Sequence, residues 1–324
     1  MPENRSTLAA VLTAPRKLSL QKQPMSPPGD REIRVRLQGC GVCASNIPVW
    51  CGRPWFEYPL EPGAPGHEGW GIVEETGAGI DQVRAGDRVA LLSSHAFSEY
   101  EVIEGDRAVL LPPVLDHQPF PGEALGCAMN IFRRSDVKAG QTVAVVGLGF
   151  LGALLTSLAA KAGARVIALY RREFSRKLAM KMGATETIFM GYSDQAAGEV
   201  RELTGGIGCD RVIEATGKQG PLDVASELCR ERGRLIIAGY HQDGLRQVNM
   251  QSWNWRGLDV INAHERDPAV YLEGMRLAVA VIAAGTLDPR PLYTHIFDLG
   301  HLADALEASS EHQEDFLKAL VTYE

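Results

Sequence analysis

Four residues with soft or ionisable side chains are spread through the first 130 residues of the chain. They are Cys43, the adjacent pair His67 and Glu68, and, somewhat beyond the first third, Cys127. A Cys, His, Cys set can bind zinc and leave a fourth tetrahedral position for water or substrate. Taken alone, Cys127 is more typical of a small buried apolar residue. Cys40 and Cys43 form a Cys-x-x-Cys pair, which is also compatible with a redox dithiol or half of a structural zinc site.

A glycine-rich motif begins twenty residues after the last of these four. Gly147, Gly149 and Gly152 follow an apolar strand pattern and precede a helical one. The first glycine permits a tight turn, the second lets the backbone approach a pyrophosphate, and the third allows close packing of helix on strand. Phe150 and Leu151 lie at the helix start, where unpaired N–H groups attract phosphate. The motif predicts a dinucleotide site, with a purely structural turn as the alternative.

The second strand of this region ends at Tyr170, and Arg171 and Arg172 follow it. In folds that prefer NAD, an acidic residue near this point binds the adenosine ribose hydroxyls. An arginine can instead bind a 2′-phosphate through two parallel hydrogen bonds, and Tyr170 or Arg171 can stack on adenine. We therefore predict NADP(H) in preference to NAD(H). The alternative is a solvated strand end, with Glu173 in the acidic role.

Two regions with different patterns of polar and apolar residues must position these groups. The first third alternates polar and apolar residues with period two, as in residues 32–37, and predicts short strands joined by turns. The middle alternates apolar strands with helices, which is typical of a parallel sheet with right-handed crossovers. In the last part, Asp267 and Pro268 predict the start of a helix that Gly285 ends. Residues 288–297 and 316–323 are expected to form strands that return to the first domain.

Composition sets limits on the class of protein. A length of 324 residues predicts about two domains, and a net charge of −7 argues against nucleic acid or an anionic membrane as partner. The uncharged run from Thr142 to Ala160 is long enough for a membrane helix, but its glycines and β-rich first half favour a buried strand, turn and helix. Six sparse cysteines and no signal peptide predict a reducing cytoplasm.

The segment Gly66-His67-Glu68-Gly69-x-Gly71-x-Val73, followed by Gly77-x-Gly79, resembles the signature of zinc-containing medium-chain alcohol dehydrogenases. The order of the other motifs matches this family over nearly the whole chain. The resemblance implies an α/β protein with a GroES-like β-rich catalytic domain (residues 1–128 and 265–324) and a Rossmann domain with a doubly wound parallel sheet (residues 129–264). It also implies an active site in the cleft between the domains, and a homodimer or homotetramer.

The resemblance assigns the catalytic zinc of the family to three residues: Cys43, His67 and Cys127. Glu68 lies beside the metal in this family and sometimes replaces a ligand. Ser45 occupies the position of the hydroxyl that passes on the substrate proton. Lys318 falls where a basic residue often contacts the cofactor phosphates.

The chain departs from the family pattern in three ways. Many members carry a lobe with four cysteines for a second, structural zinc, but here residues 89–94 run almost directly into residues 97–100. One zinc ion per chain is therefore expected. Asn46 stands where an aspartate often orients the zinc-bound histidine, which predicts weaker support of that ring. Pro48 stands where some members have a histidine that ends a proton relay, so the proton must leave by another path.

The predicted function is that of a zinc-dependent alcohol dehydrogenase or carbonyl reductase. Its substrate is expected to be a small alcohol or carbonyl, such as a polyol or hydroxy acid. A zinc-free quinone or enoyl reductase shares the implied fold, but it would not need Cys43, His67 and Cys127 together. A non-catalytic NADPH-binding sensor would keep the glycine motif and lose the ligand set.

Overall fold

Strands with one apolar face dominate the first third of the chain, as the period-two pattern predicts. The computed structural model describes residues 6–191 and 193–323. These residues divide into two units. Unit 1 contains residues up to Cys127 together with those from Arg266 onward, and unit 2 is Ala128–Glu265.

The first part of unit 1 contains seven strands: β1 (Ser6–Ala14), β2 (Lys17–Pro24), β3 (Glu32–Gly41), β4 (Glu68–Thr76), β5 (Arg88–Leu91), β6 (Tyr100–Glu104) and β7 (Ala108–Leu110). The short helix α1 (Asn46–Trp50) lies between β3 and β4, and α2 (Gly122–Ser135) carries the chain into unit 2. β1 and β2 form a separate antiparallel pair. β3 pairs antiparallel with both β4 and β6, so it lies at the centre of a larger sheet.

Unit 2 alternates strands and helices along the chain. Its elements are β8 (Thr142–Val146), α3 (Phe150–Lys161), β9 (Arg165–Tyr170), α4 (Glu173–Lys181), β10 (Glu186–Phe189), α5 (Ser193–Leu203), β11 (Cys209–Glu214), α6 (Gln219–Leu228), β12 (Cys229–Ile237), α7 (Met250–Trp255) and β13 (Asp259–Asn262). The six strands are parallel in the order β10-β9-β8-β11-β12-β13. The sheet is buried on both faces, because alternate residues of β8 enter two different apolar clusters. The predicted doubly wound sheet is confirmed.

The uncharged run at Thr142–Ala160 forms β8 and most of α3. Gly147, between them, has a φ of +97°, which breaks the run into a strand and a helix. Among the residues that the structure describes, no helix combines the length and apolar character needed to span a membrane.

The last part of the chain returns to unit 1 through α8 (Pro268–Ala283), β14 (His295–Asp298), α9 (Leu302–Glu311) and β15 (Ala319–Thr322). The larger sheet has the order β14-β15-β3-β4-β5-β7. The strand predicted at 288–297 is shorter than expected, because residues 290–292 form a 3-10 turn. Pro289 and Pro291 explain the difference, since proline cannot donate a hydrogen bond to a neighbouring strand.

The two parts of unit 1 share one apolar core. Leu12, Ile33 and Val35 from the first part belong to the same buried cluster as Leu306 and Val321 from the last part. The sheet and its core are therefore complete only when both ends of unit 1 are present. The predicted start of α8 is also confirmed, with Asp267 as its N-cap.

Replacing the N-cap of α8 should destabilise unit 1. The Asp267 carboxylate accepts a hydrogen bond from the N–H of Ala269 at 2.9 Å. Asp267→Ala should therefore lower the free energy of unfolding by about 1 kcal/mol. Asp267→Asn, which keeps the acceptor, is the matched control. Hydrogen exchange of α8 measures the effect, and equal protection in both variants would contradict the capping role.

Candidate active site

The glycine motif forms a tightly packed turn between β8 and α3. A Cβ at Gly147 would overlap the side chain of Thr216, and a Cβ at Gly152 would overlap the carbonyl oxygen of Gly147. Around a Cβ at Gly149, by contrast, there is open space to 4 Å among the described residues beyond its chain neighbours. The backbone at Gly149 is therefore accessible to a ligand. These steric properties are those that a pyrophosphate site requires.

The start of α3 supplies polar groups beside this opening. The helix begins at Phe150, with Leu151 next and Gly149 as its N-cap. The Ala153 N–H donates to the carbonyl of Gly149 at 2.9 Å and so closes the first helical turn. The N-terminus of α3 presents backbone N–H groups and the positive end of the helix dipole, both of which favour phosphate.

Two arginines follow the end of β9, and Glu173 comes directly after them. Tyr170 is the last strand residue, Arg171 is exposed, and Arg172 is the N-cap of α4. Glu173, the alternative acidic residue, forms an exposed ion pair with Arg176, with 2.6 Å between Nη2 and Oε1. The hydrogen bond from Arg176 lowers the pKa of the Glu173 carboxyl.

Three of the predicted metal-site residues meet at one end of the β3–β4 pair. The ligand atoms of Cys43, His67 and Glu68 all lie within 4.8 Å of one another. Glu68 begins β4 and pairs with Gly41, the last residue of β3, so the antiparallel register brings the segments after β3 and before β4 together. A Cβ at Gly41 would overlap the Glu68 carboxylate, so glycine is needed to leave room for that side chain.

The imidazole of His67 is oriented by backbone. Its Nδ1 lies 2.9 Å from the carbonyl oxygen of Pro65, which can only accept, so Nδ1 carries a proton and Nε2 faces the group. Asn46 donates through Nδ2 to the same carbonyl at 3.0 Å, and its Oδ1 accepts from the Cys43 N–H at 2.9 Å. Asn46 therefore links the two loops that carry Cys43 and His67. Ser45 Oγ lies 3.5 Å from His67 Nε2.

Negative charge dominates the surroundings of His67. Burial lowers the pKa of this imidazole, but the hydrogen bond and charge of Cys43, and the charges of Glu123 and Glu68, raise it to about 10. The group formed by Cys43, His67 and Glu68 therefore attracts positive charge. This electrostatic environment also suits a metal cation.

Glu68 and Lys318 form a buried ion pair. Lys318 is 4% exposed and Glu68 is fully buried. The ammonium donates to Oε1 at 2.6 Å and lies 2.5 Å from Oε2, so it lies against both carboxylate oxygens. Burial lowers the pKa of Lys318, and the charges of Glu68 and Cys43 outweigh burial and raise it. A contact of Lys318 with cofactor phosphates stays a prediction, because its ammonium is directed to Glu68 here.

Cys127 has a different partner from the one expected. Its sulfur does not belong to the group of Cys43, His67 and Glu68; it donates to Glu123 Oε1 at 3.1 Å. Burial, and then the charge of Glu123, raise the pKa of the Cys127 thiol well above its ordinary range. The role of Cys127 as a zinc ligand therefore stays a prediction.

Glu123 is a site residue that our sequence reasoning missed. It is buried on α2, and its charge acts on His67. Burial raises the pKa of the Glu123 carboxyl, while the charge of His67 lowers it. The available signal was its position four residues before Cys127, since side chains four apart share one face of a helix.

The structure also gives the surroundings of three further residues near the motifs. Trp50 belongs to the core and donates to Glu307 at 2.8 Å, and Pro48 is buried in α1. In unit 2, His264 stacks on Tyr240 with 5.2 Å between ring centroids. The connection from β5 to β6 is residues 92–99, so it has no room for a four-cysteine lobe.

Two family models match this chain. The model of the alcohol dehydrogenase GroES-like domain matches residues 29–115, and the model of the zinc-binding dehydrogenase matches residues 151–279. The sorbitol dehydrogenase of Bacillus subtilis (strain 168) is 24% identical to this chain over an alignment of 353 positions, which covers 99% of this chain and 98% of that protein. The chain belongs to the zinc-type medium-chain dehydrogenase/reductase family, a family of alcohol dehydrogenase-type oxidoreductases.

Solved structures share the fold. One described as a zinc-binding dehydrogenase from Sinorhizobium meliloti 1021, bound to NADP, has a TM-score of 0.84 and 24% identity, covering 98% of this chain and 100% of that one. The alcohol dehydrogenase rspB of Escherichia coli CFT073, complexed with NADH, has a TM-score of 0.86 and 22% identity. The match covers 98% of this chain and 99% of that one. At this level of identity the likeness establishes the fold alone, and the two cofactors differ.

Removing Lys318 should destabilise unit 1 more than removing the whole ion pair. Lys318→Met leaves the Glu68 carboxylate buried without its counter-ion, which should cost roughly 3–5 kcal/mol. The double variant Glu68→Gln, Lys318→Met removes both charges and should cost less. Urea unfolding of the metal-free protein, followed by hydrogen exchange of β3 and β4, measures both. Equal losses in the two variants would show that the pair is not coupled.

Proposed function

We propose that the protein is a zinc-dependent alcohol dehydrogenase or carbonyl reductase that transfers a hydride between a small alcohol and NADP(H). The observation that carries the proposal is the group of Cys43, His67 and Glu68, in a chain whose glycine motif has the sterics of a pyrophosphate site. The sorbitol dehydrogenase relative supports a polyol as the alcohol.

The donor set fits zinc. Thiolate, imidazole and carboxylate are all zinc ligands, and three protein ligands leave one position open. Glu68 is fully buried and both of its carboxylate oxygens lie within 2.6 Å of the Lys318 ammonium, so a zinc ion bound here would share this carboxylate with Lys318. His67 directs Nε2 to the group while Nδ1 is held by Pro65. We assign the third donor to Glu68, and Cys127 is the alternative that the family's usual order suggests.

The bound zinc would act as a Lewis acid, which lowers the pKa of an alcohol or polarises a carbonyl. The residues of this chain would orient the substrate and move its proton. Ser45 has its hydroxyl beside His67 Nε2, where it can accept the proton of an alcohol substrate. Pro48 has no side-chain donor or acceptor, so the proton has to leave Ser45 by another route, such as water.

The cofactor would supply the hydride acceptor or donor. Gly147, Gly149 and Gly152 would let the backbone approach its pyrophosphate. The exposed Arg171 follows β9 directly, and Glu173 is engaged by Arg176. These observations support binding of a 2′-phosphate and therefore NADP(H).

Metal analysis of the purified protein tests the zinc assignment. We expect one zinc ion per chain. Cys43→Ser and His67→Ala should each lose it, because each removes a donor of the group. Cys127→Ser should retain zinc, because the Cys127 thiol is bonded to Glu123 instead. Mass spectrometric metal analysis after extensive dialysis gives the zinc content of each variant.

The same measurement distinguishes the two candidates for the third donor. Retention of zinc by Glu68→Gln together with its loss from Cys127→Ser would assign the position to Cys127. Two zinc ions per chain would contradict the absence of a structural site, and full zinc content in Cys43→Ser would refute the metal assignment altogether.

A turnover screen with polyols, simple alcohols and aldehydes tests the reaction and the cofactor. We expect kcat/KM for NADPH to exceed that for NADH by about tenfold or more, since arginine binds phosphate bidentately. Arg171→Ala should reduce this preference and leave the kinetics with NADH unchanged. Lys181→Ala, which removes an exposed cationic residue in the last turn of α4, is the matched control.

A kcat/KM that is clearly higher for NADH than for NADPH would contradict the assignment of NADP(H) as the cofactor. Turnover of quinones or enoyl substrates by the zinc-depleted protein would instead support the zinc-free reductase class. NADPH binding with no turnover of any substrate in either direction would favour a sensor.

A further inference from the structure

A buried carboxylate ends the strand beside the glycine motif, and the proposed chemistry does not use it. Glu214 is the last residue of β11 and is fully buried. β11 is the neighbour of β8, and the N–H of Ala215 donates to the carbonyl of Val146 at 2.9 Å. A buried charge is costly unless it is compensated, so the partners of Glu214 indicate its role.

The two oxygens of Glu214 hold two different loops. Oε1 accepts from the N–H of Thr216 at 2.6 Å, the N–H of Gly217 at 3.0 Å, and the hydroxyl of Thr216, all in the loop after β11. Oε2 lies 2.9 Å from His241 Nε2, in the loop after β12. One carboxylate therefore fixes the loops that follow two adjacent strands.

The histidine is held between opposite charges. Arg246 Nε lies 3.0 Å from His241 Nδ1, and a guanidinium N–H can only donate, so Nδ1 accepts and has no proton. The ring proton is therefore on Nε2 and is donated to Glu214. Arg246 also donates through Nη2 to the carbonyl of Gly217 at 3.0 Å. Carboxylate, neutral imidazole and guanidinium thus form a closed network across both loops.

The network is linked to the glycine motif by close backbone contact. A Cβ at Gly217 would overlap the carbonyl oxygen of Tyr240, and a Cβ at Gly239 would overlap the N–H of Gly217. Thr216, whose hydroxyl and N–H are both held by Glu214, has its methyl group against Gly147. Because these contacts leave no space, a shift of either loop must move the motif or break a hydrogen bond.

The strand order indicates which part of a cofactor these loops would meet. In a doubly wound sheet the ligand binds beyond the carboxyl ends of the strands, where the order reverses, here between β8 and β11. The end of β9 is the position that binds the adenosine ribose. The nicotinamide half then lies on the other side of β8, above the loops that follow β11 and β12.

We propose that the network of Glu214, His241 and Arg246 positions the nicotinamide half of the bound dinucleotide. The inference rests on the proposed function, because it assumes a nicotinamide cofactor. The three residues act through Thr216 and the two loops, so they are positioning residues and not catalytic ones.

Calorimetric binding of NADPH and of adenosine 2′,5′-bisphosphate, which carries only the adenosine half, tests the proposal without relying on turnover. His241→Ala should weaken NADPH binding about tenfold while the fragment keeps its affinity within about twofold, since the network holds only the nicotinamide side. Leu245→Ala, a fully exposed residue of the same loop, is the matched control and should change neither affinity. Arg246→Met provides a second test at the partly exposed end of the network, and the same difference between the two ligands is expected.

Equal weakening of both ligands by His241→Ala and Arg246→Met would overturn the proposal, because it would mean that the network supports unit 2 as a whole. Unchanged NADPH affinity in both variants would overturn it as well. A wild-type protein that binds neither NADPH nor NADH would contradict the proposed function itself, an outcome that the wild-type titrations reveal before any variant is made.

Discussion

Compensation of buried negative charge is the constraint on which unit 1 depends. Glu68 is fully buried at the point where β3 meets β4, and interactions with Cys43 and Glu123 raise the pKa of His67. Lys318, on the segment that leads into β15, supplies the buried positive charge. The position of β15 beside β3 is therefore required by electrostatics as well as by packing. A metal ion would add to the same balance, since the group already favours positive charge.

Unit 2 has a different electrostatic requirement from unit 1, because its ligand would be anionic. The glycine motif works by excluding side chains, so that backbone N–H groups and the dipole of α3 can reach a phosphate. Its shape is maintained by sterics, with Thr216 packed on Gly147. Glu214 is a buried charged residue of this unit. It lies at the end of β11, next to β8, and its hydrogen bonds fix two loops. Glu68 in unit 1 and Glu214 in unit 2 are thus buried carboxylates, each with a defined structural task.

The family and the fold class could be predicted from the sequence, because they depend on motifs whose residues are close together in the chain. Cys43, His67 and Glu68 were selected by residue type, and the structure brings them together. The hydrogen-bond and ion-pair partners of the site residues could not be predicted from the sequence in the same way. The family resemblance implies a phosphate contact for Lys318, whereas its partner in the structure, Glu68, lies 250 residues away in the chain and could not be predicted from local spacing. The thiol of Cys127 bonds Glu123 on its own helix, and only the local spacing hinted at this.

The discontinuity of unit 1 has a consequence for the order of folding during synthesis. Unit 2 is a single stretch of chain and can fold as soon as its last strand has left the ribosome. Unit 1 cannot, because β15 and Lys318 are made only after the whole of unit 2. Until then the edge of β3 that β15 later covers is exposed, and Glu68 has no counter-ion. The nascent protein therefore passes through a stage in which unit 2 is complete while unit 1 is still unfinished and vulnerable to aggregation.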